Sequence, residues 1–217
     1  MGRPSDARER LIKAAREVIY ANSYEGTSVD DLCAAAHVTK SSFYHFFSSK
    51  QDLLFATMER QWEMIQENVL KPAFADDLPP QERILRFFDI QMQRQQALKE
   101  ASGHMRGCPL GNLTLEMSTQ DEEIRSRVAH FFDEWVNYVE CVLREAKEQG
   151  LVPVTLDTVV TAQALLAYFE GVVLLAKGHN DPGLMATLRN GALALMQYQE
   201  PTYIRRDRKA HAEAAAG

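Results

Sequence analysis

Within Thr27 to Lys50, TSVDDLCAAAHVTKSSFYHFFSSK, three helix starts follow one another so closely that the chain must turn sharply between them. Ser28 followed three residues later by Asp31 has the form of a capping box, in which a hydroxyl and an acid satisfy the free N–H groups of a first helical turn. Val29, Leu32, Cys33 and Ala36 recur at the spacing of one helix face, which predicts a short helix from about Val29 to Ala36. Thr39 is a second N-cap, and Phe43, Phe46 and Phe47 supply the apolar face of another short helix beginning near Lys40. Only His37 and Val38 separate the two. Ser49 and Asp52 repeat the capping pattern and open a further helix at Lys50.

Two short helices joined by so tight a turn cross steeply, and the second projects its N-terminal residues outward, the geometry that inserts a recognition helix into the major groove of double-stranded DNA. The outward residues are Lys40, Ser41, Ser42, Tyr44 and His45, all able to hydrogen-bond to phosphates or base edges. Thr27, Ser28, Lys40, Tyr44 and Lys50 are expected at phosphates, Ser41, Ser42 and His45 near bases, and Thr39 at the helix start among them. Lys50 stands in a first helical turn, where a cation opposes the helix dipole, and a nearby phosphate would account for it.

Thr27-Ser28, the Val38-Thr39-Lys40 turn, and Ser42-Phe43-Tyr44-His45-Phe46-Phe47 ending in Ser49-Lys50 resemble the signature of TetR/AcrR-type transcriptional regulators. Many members have glycine where this chain has Ser41. The resemblance implies a DNA operator as partner, a homodimer, and a small-molecule effector bound by the rest of the chain.

The remainder fits such a plan. The 217 residues suffice for one large core and a small module, and their helix formers and scarcity of alternating runs favour an all-α fold. A division into residues 1–50 as helix-turn-helix unit, 51–200 as effector-binding and dimerisation unit and 201–217 as flexible tail is expected. The net charge of −6 is uneven: residues 1–50 hold seven Lys or Arg against six Asp or Glu, leaving −7 on the rest. Local placement, not the total, governs DNA binding. Arg3, Arg8 and Arg10 form a basic arm able to reach backbone or minor groove. No signal peptide appears, and the most apolar run, Ala162 to Ala176, contains Gln163 and Glu170 and is too short to cross a bilayer. A cytoplasmic protein without a membrane partner is expected.

A first helix from about Asp6 to Asn22 packs through Leu11, Ala14, Ala15, Val18 and Ile19. The helix from Lys50 should run through Leu54, Met58, Trp62, Ile65 and Val69 and end before Pro72. Further helices are expected near 81–100, 113–118, 121–149, 156–177 and 182–199, the last opened by Asp181-Pro182. The last two are apolar nearly all round, which calls for burial on more than one side. One side is the body's core; the other is a subunit contact, since in the family resembled the last two long helices pair two copies.

The sensor is expected at Gly103 to Asn112, GHMRGCPLGN, a break between helices. Gly107, Cys108, Gly111, Asn112 and Leu113, with Glu116 beyond, resemble the Gly-Cys-x-x-Gly-Asn-Leu signature of one TetR subgroup associated with small reactive metabolites. A thiol near a helix N-terminus and near His104 and Arg106 would be drawn toward thiolate, whereas a buried cysteine behaves as a small apolar group. The competing reading is a non-covalent pocket lined from Phe88, Met92, Leu113, Phe131, Trp135, Tyr138, Phe169 and Glu170, with Trp135 and Tyr138 the preferred pair. A thiol enzyme using Cys108 with His104 is the remote alternative, without an orienting third group. Cys33 and Cys141 are expected to be inert, the cysteine spacing suits no zinc site, and no cofactor is expected.

Overall fold

The computed structural model describes residues 4–200; Arg3 and the 201–217 tail lie outside them. Helix α1 (Pro4–Ala21) lies against α2 (Val29–Ala36) and α3 (Lys40–Phe46), and α4 starts at Lys50. Leu11, Ala15, Leu32, Phe43 and Leu53 are fully buried in the core these four share. Side-chain caps fix the starts: Ser28 accepts from Asp31 N–H, Thr39 from Ser42 N–H and Ser49 from Asp52 N–H. His37, at φ 52°, takes the left-handed turn that ends α2, and Arg10 donates to the Ala36 and His37 carbonyls at 3.0 and 3.1 Å.

The helix expected to stop before Pro72 passes through it. After α4 (Lys50–Ile65) the chain makes a π-helical turn, Gln66–Leu70, and continues as α5 (Lys71–Phe74). A proline ring in a helix clashes with the carbonyl four residues back, and the widened turn supplies the slack. The body adds α6 (Pro80–Ser102), α7 (Pro109–Met117), α8 (Glu122–Glu148) and α9 (Thr158–Gly178). Helix α7 begins four residues before the expected Leu113, so Cys108 is its N-cap rather than part of a preceding loop.

The single helix expected over 182–199 is two short ones, α10 (Gly183–Leu188) and α11 (Gly191–Leu195). Tyr168 of α9 divides them: its hydroxyl donates to the Leu188 carbonyl at 2.7 Å, and a Cβ on Gly191 would lie 2.1 Å from that hydroxyl oxygen. The last two long helices are therefore α8 and α9, not α9 and its successor. At 21 residues with mean hydropathy 1.8, α9 also meets the length and composition of a membrane span, contrary to the shorter run read from sequence. It packs along α8 and buries Leu165, Leu166, Phe169, Val172 and Val173, while Val159, Val160, Leu174 and Leu175 stay at least half exposed.

Candidate functional site

Helix α3 presents the outward face expected of it. Phe43 and Phe47 anchor it in the core, while Lys40, Ser41, Tyr44 and His45 are exposed and Ser42 is half-buried. Lys40 pairs with Asp30 at 2.9 Å, a contact that raises its proton affinity through hydrogen bonding and charge. Ser28 is exposed, but its hydroxyl is engaged with the Asp31 carboxylate at 2.6 Å, which holds that acid below its usual range.

Two expectations for this face, Thr27 at a phosphate and a free basic arm, need correction, and Lys50 has partners inside the protein as well. Thr27 is 1% exposed and its hydroxyl donates to the Ser23 carbonyl at 2.6 Å, so its side chain cannot meet a phosphate. Lys50 donates to the Tyr24 and Thr27 carbonyls at 3.0 and 3.1 Å and lies 4.1 Å from the Tyr24 ring centre. Its place against the helix dipole thus has an answer inside the protein: carbonyl lone pairs and a ring face. Arg8 and Arg10 lie within α1 rather than on a free arm, Arg8 over the Phe47 ring and Arg10 on the end of α2.

The glycine-rich break folds around Gly107, whose φ of +80° and close approach to the Lys177 stem admit no side chain. Gln95 holds this glycine from both sides, accepting its N–H at 3.2 Å and donating to its carbonyl at 2.7 Å; the Tyr20 hydroxyl donates to the same carbonyl. Asn112 donates to the Arg106 carbonyl at 2.9 Å and accepts from Lys177 at 2.8 Å. At the far end of α7, Glu116 accepts from Tyr24 and Glu25 N–H at 3.0 and 2.7 Å. One nine-residue helix therefore connects Cys108 to the loop that Lys50 staples.

Cys108 is buried, with Sγ 3.4 Å from Gly111 N–H. Burial pushes the thiol well above its ordinary value, and the nearby Glu170 carboxylate pushes the same way. Burial likewise raises Glu170, whose Oε1 has no hydrogen-bond partner among the described residues and whose Oε2 would lie 2.4 Å from a Cβ on Gly111. Of the two readings of this cysteine, its burial and the neighbouring acid favour the small apolar thiol over the thiolate. His104 is exposed, so no cysteine–histidine pair forms.

A cavity of about 390 Å³ lies behind Cys108, walled by α1, α4, α6, α8, α9 and α10, with Pro109 of α7 at its edge. Of the expected lining residues Trp135 and Phe169 reach it; Glu170 and Asn112 line a shallower groove beside it, and His104 faces a larger one between head and body. Tyr138 is separated from Trp135, lying in a groove with Phe74, Arg83 and Glu145. Phe88 and Phe131 are core residues, fully buried. The cavity's polar wall was missed in sequence: Arg16 and Tyr20 from α1, and Gln91, Arg94 and Gln95 from α6. The available signal was Gln91 and Gln95 continuing the buried register of Phe87 and Phe88, polar residues where a helix normally carries core.

The description "Bacterial regulatory proteins, tetR family" matches residues 11–57 and "Tetracyclin repressor-like, C-terminal domain" matches residues 80–192. The transcriptional regulator AcuR of Cereibacter sphaeroides is 32% identical over 79% of this chain and 76% of its own. The HTH-type transcriptional repressor DhaR of Mycobacterium sp. is 25% identical over 78% of this chain and 82% of its own. A crystal structure of a regulatory protein TetR from Rhodobacter sphaeroides superposes with a TM-score of 0.76 at 27% identity, covering 89% of this chain and 99% of that one. These proteins are regulators of transcription, not enzymes, and by its matched halves, its helical architecture and its helix-turn-helix head this chain belongs to the TetR family of ligand-responsive, DNA-binding bacterial regulators.

Proposed function

We propose that two copies of this chain repress transcription from a palindromic operator and release it when a small organic effector occupies the cavity behind Cys108. Residues 1–50 read DNA, with Lys40, Ser41, Tyr44 and His45 leading. Residues 51–200 sense and pair, α4 being common to both units. Pairing uses α9, whose exposed Val160, Leu174 and Leu175 need cover, together with the α8 packed along it. The protein works in the cytoplasm, where such an operator lies.

The observation that carries the release step is α7. Its N-cap closes the cavity and its last turn grips the Tyr24 and Glu25 N–H groups, so an effector that displaces Cys108 tilts the head through one rigid element. The effector need only bind the displaced state more tightly. The Gly107, Cys108, Gly111, Asn112 and Leu113 signature supports membership of the subgroup it resembles, and the raised thiol favours non-covalent sensing over reaction with an electrophile.

Retardation of a palindromic fragment from the gene's own promoter tests the reading. Wild-type protein is expected to bind at low salt; Glu116→Gln is expected to keep binding within about threefold while losing most of its response to effector. Failure of the unliganded wild type to bind would overturn the proposal. Cys108→Ser separates the two sensing chemistries, because effector release that survives it is non-covalent.

A further inference from the structure

Among the described residues most buried or half-buried arginines away from the cavity behind Cys108 have acids, Arg106 over the Tyr20 ring being an exception. Arg83 forks onto Glu145 with bonds of 2.7 and 2.6 Å, Arg86 meets Asp77 at 2.7 Å, Arg127 reaches Glu59 and Glu123, and Arg189 pairs with Asp89. Arg16 and Arg94 are the contrast. Both are half-buried, both line the 390 Å³ cavity, and among the described residues neither forms an ion pair. Arg16 donates only to the Met64 thioether, a weak acceptor, and the Arg94 side chain makes no hydrogen bond among the described residues.

The rest of the wall sharpens the contrast. No Asp or Glu lines this cavity. The indole N–H of Trp135, a residue 1% exposed, has no partner, and the buried Gln91 side chain makes no hydrogen bond among the described residues. The Tyr20 hydroxyl stands on the same wall. Phe169, Val173 and Met185 add apolar surface to the same lining, the Phe169 ring centre 5.5 Å from that of Trp135. Burial and the like charge of Arg16 both work against the charged form of Arg94. A guanidinium does not give up its proton, so the two cations hold an unfavourable field that a bound anion would relieve.

We propose that this cavity receives a small organic carboxylate, its charged end between the Arg16 and Arg94 guanidinium groups and its apolar end against Phe169, Val173 and Met185, alongside Cys108. Carboxylate matches the planar fork of a guanidinium, and the remaining neutral donors suit the second oxygen. The volume fits a compact molecule with a short apolar portion. This deepens the proposal that the body senses a small organic effector, and it assigns the charge that effector carries.

The test uses full-length protein with propanoate, hexanoate and benzoate, each beside its neutral amide, followed by calorimetric titration and thermal unfolding. At least one carboxylate is expected to bind and raise Tm, with its amide about tenfold weaker or more. Arg94→Gln is expected to lose about tenfold or more in carboxylate affinity while the unliganded Tm stays level or rises, because one of two like charges lining one cavity is gone; Arg94→Lys recovers part of the affinity. A merely structural arginine would instead lower the unliganded Tm, and that result overturns the proposal. Acid and amide binding equally, no carboxylate binding, or an Arg16→Gln, Arg94→Gln double variant that binds carboxylate as well as wild type, overturns it too. Operator binding by the unliganded protein is scored separately: protein that holds its operator but takes no carboxylate sinks this inference alone, and protein that takes carboxylate but holds no operator sinks only the repressor reading.

Discussion

The Lys50 ammonium, shared by two carbonyls and a ring, ties the start of α4 to the loop after α1. Its removal should therefore act through the shape of the head rather than through a lost ion contact. Lys50→Ala is expected to destabilise the protein by about 1–2 kcal/mol and weaken operator binding with the slope of log K against log salt unchanged, whereas Lys40→Ala should reduce that slope by about 1. Titrations of binding at several salt concentrations check both. Glu170 gives a pH prediction. Its carboxyl is raised by burial, so the folded protein keeps this proton in a window above the ordinary carboxylate value where the unfolded chain has lost it. That contribution to stability is largest below the window and declines as pH rises through it. Glu170→Gln should remove the decline and stabilise the protein by ~1 kcal/mol above the window, read from denaturant melts across pH. The outward set Lys40, Ser41, Tyr44 and His45 could be read in the sequence because one helix decides which residues face out. Lys50 could not, since its carbonyl partners lie 26 and 23 residues earlier.

At the level of elements, local signals were legible and tertiary wedges were not. Ser28, Thr39 and Ser49 start their helices where their hydroxyls predict, because capping is a contact within one turn. The break between α10 and α11 depends on Tyr168 of α9, 20 residues before the carbonyl it bonds, and no periodicity in 182–199 reveals it. Gly191→Ala should place a methyl against the Tyr168 hydroxyl and cost about 2 kcal/mol, measurable as a fall in the denaturation midpoint. The π turn at 66–70 is of the same kind: Pro72 announced a stop, and the chain instead widened one turn and went on. For the sensor, sequence marked Cys108, Trp135 and Phe169 but not the polar wall beside them, because the lining is assembled from helices spread between Arg16 and Met185.

For the whole molecule, pairing through α8 and α9 predicts that a charge on the uncovered face breaks assembly without unfolding the subunit. Leu174→Glu alters a side chain 57% exposed and should give a helical monomer, seen by sedimentation, with operator affinity lower by about a hundredfold or more because two linked half-sites become one. Shape also divides the labour of change. The cavity takes most of its wall from α1, α4, α6, α8, α9 and α10, while α7 gives it only Pro109 and the N-cap Cys108 and makes the connection to the head through Glu116. A lineage could thus trade one inducing compound for another by altering Gln91, Val173 or Met185 and inherit a working linkage untouched, whereas a change within α7 alters what is sensed and what is obeyed in one step.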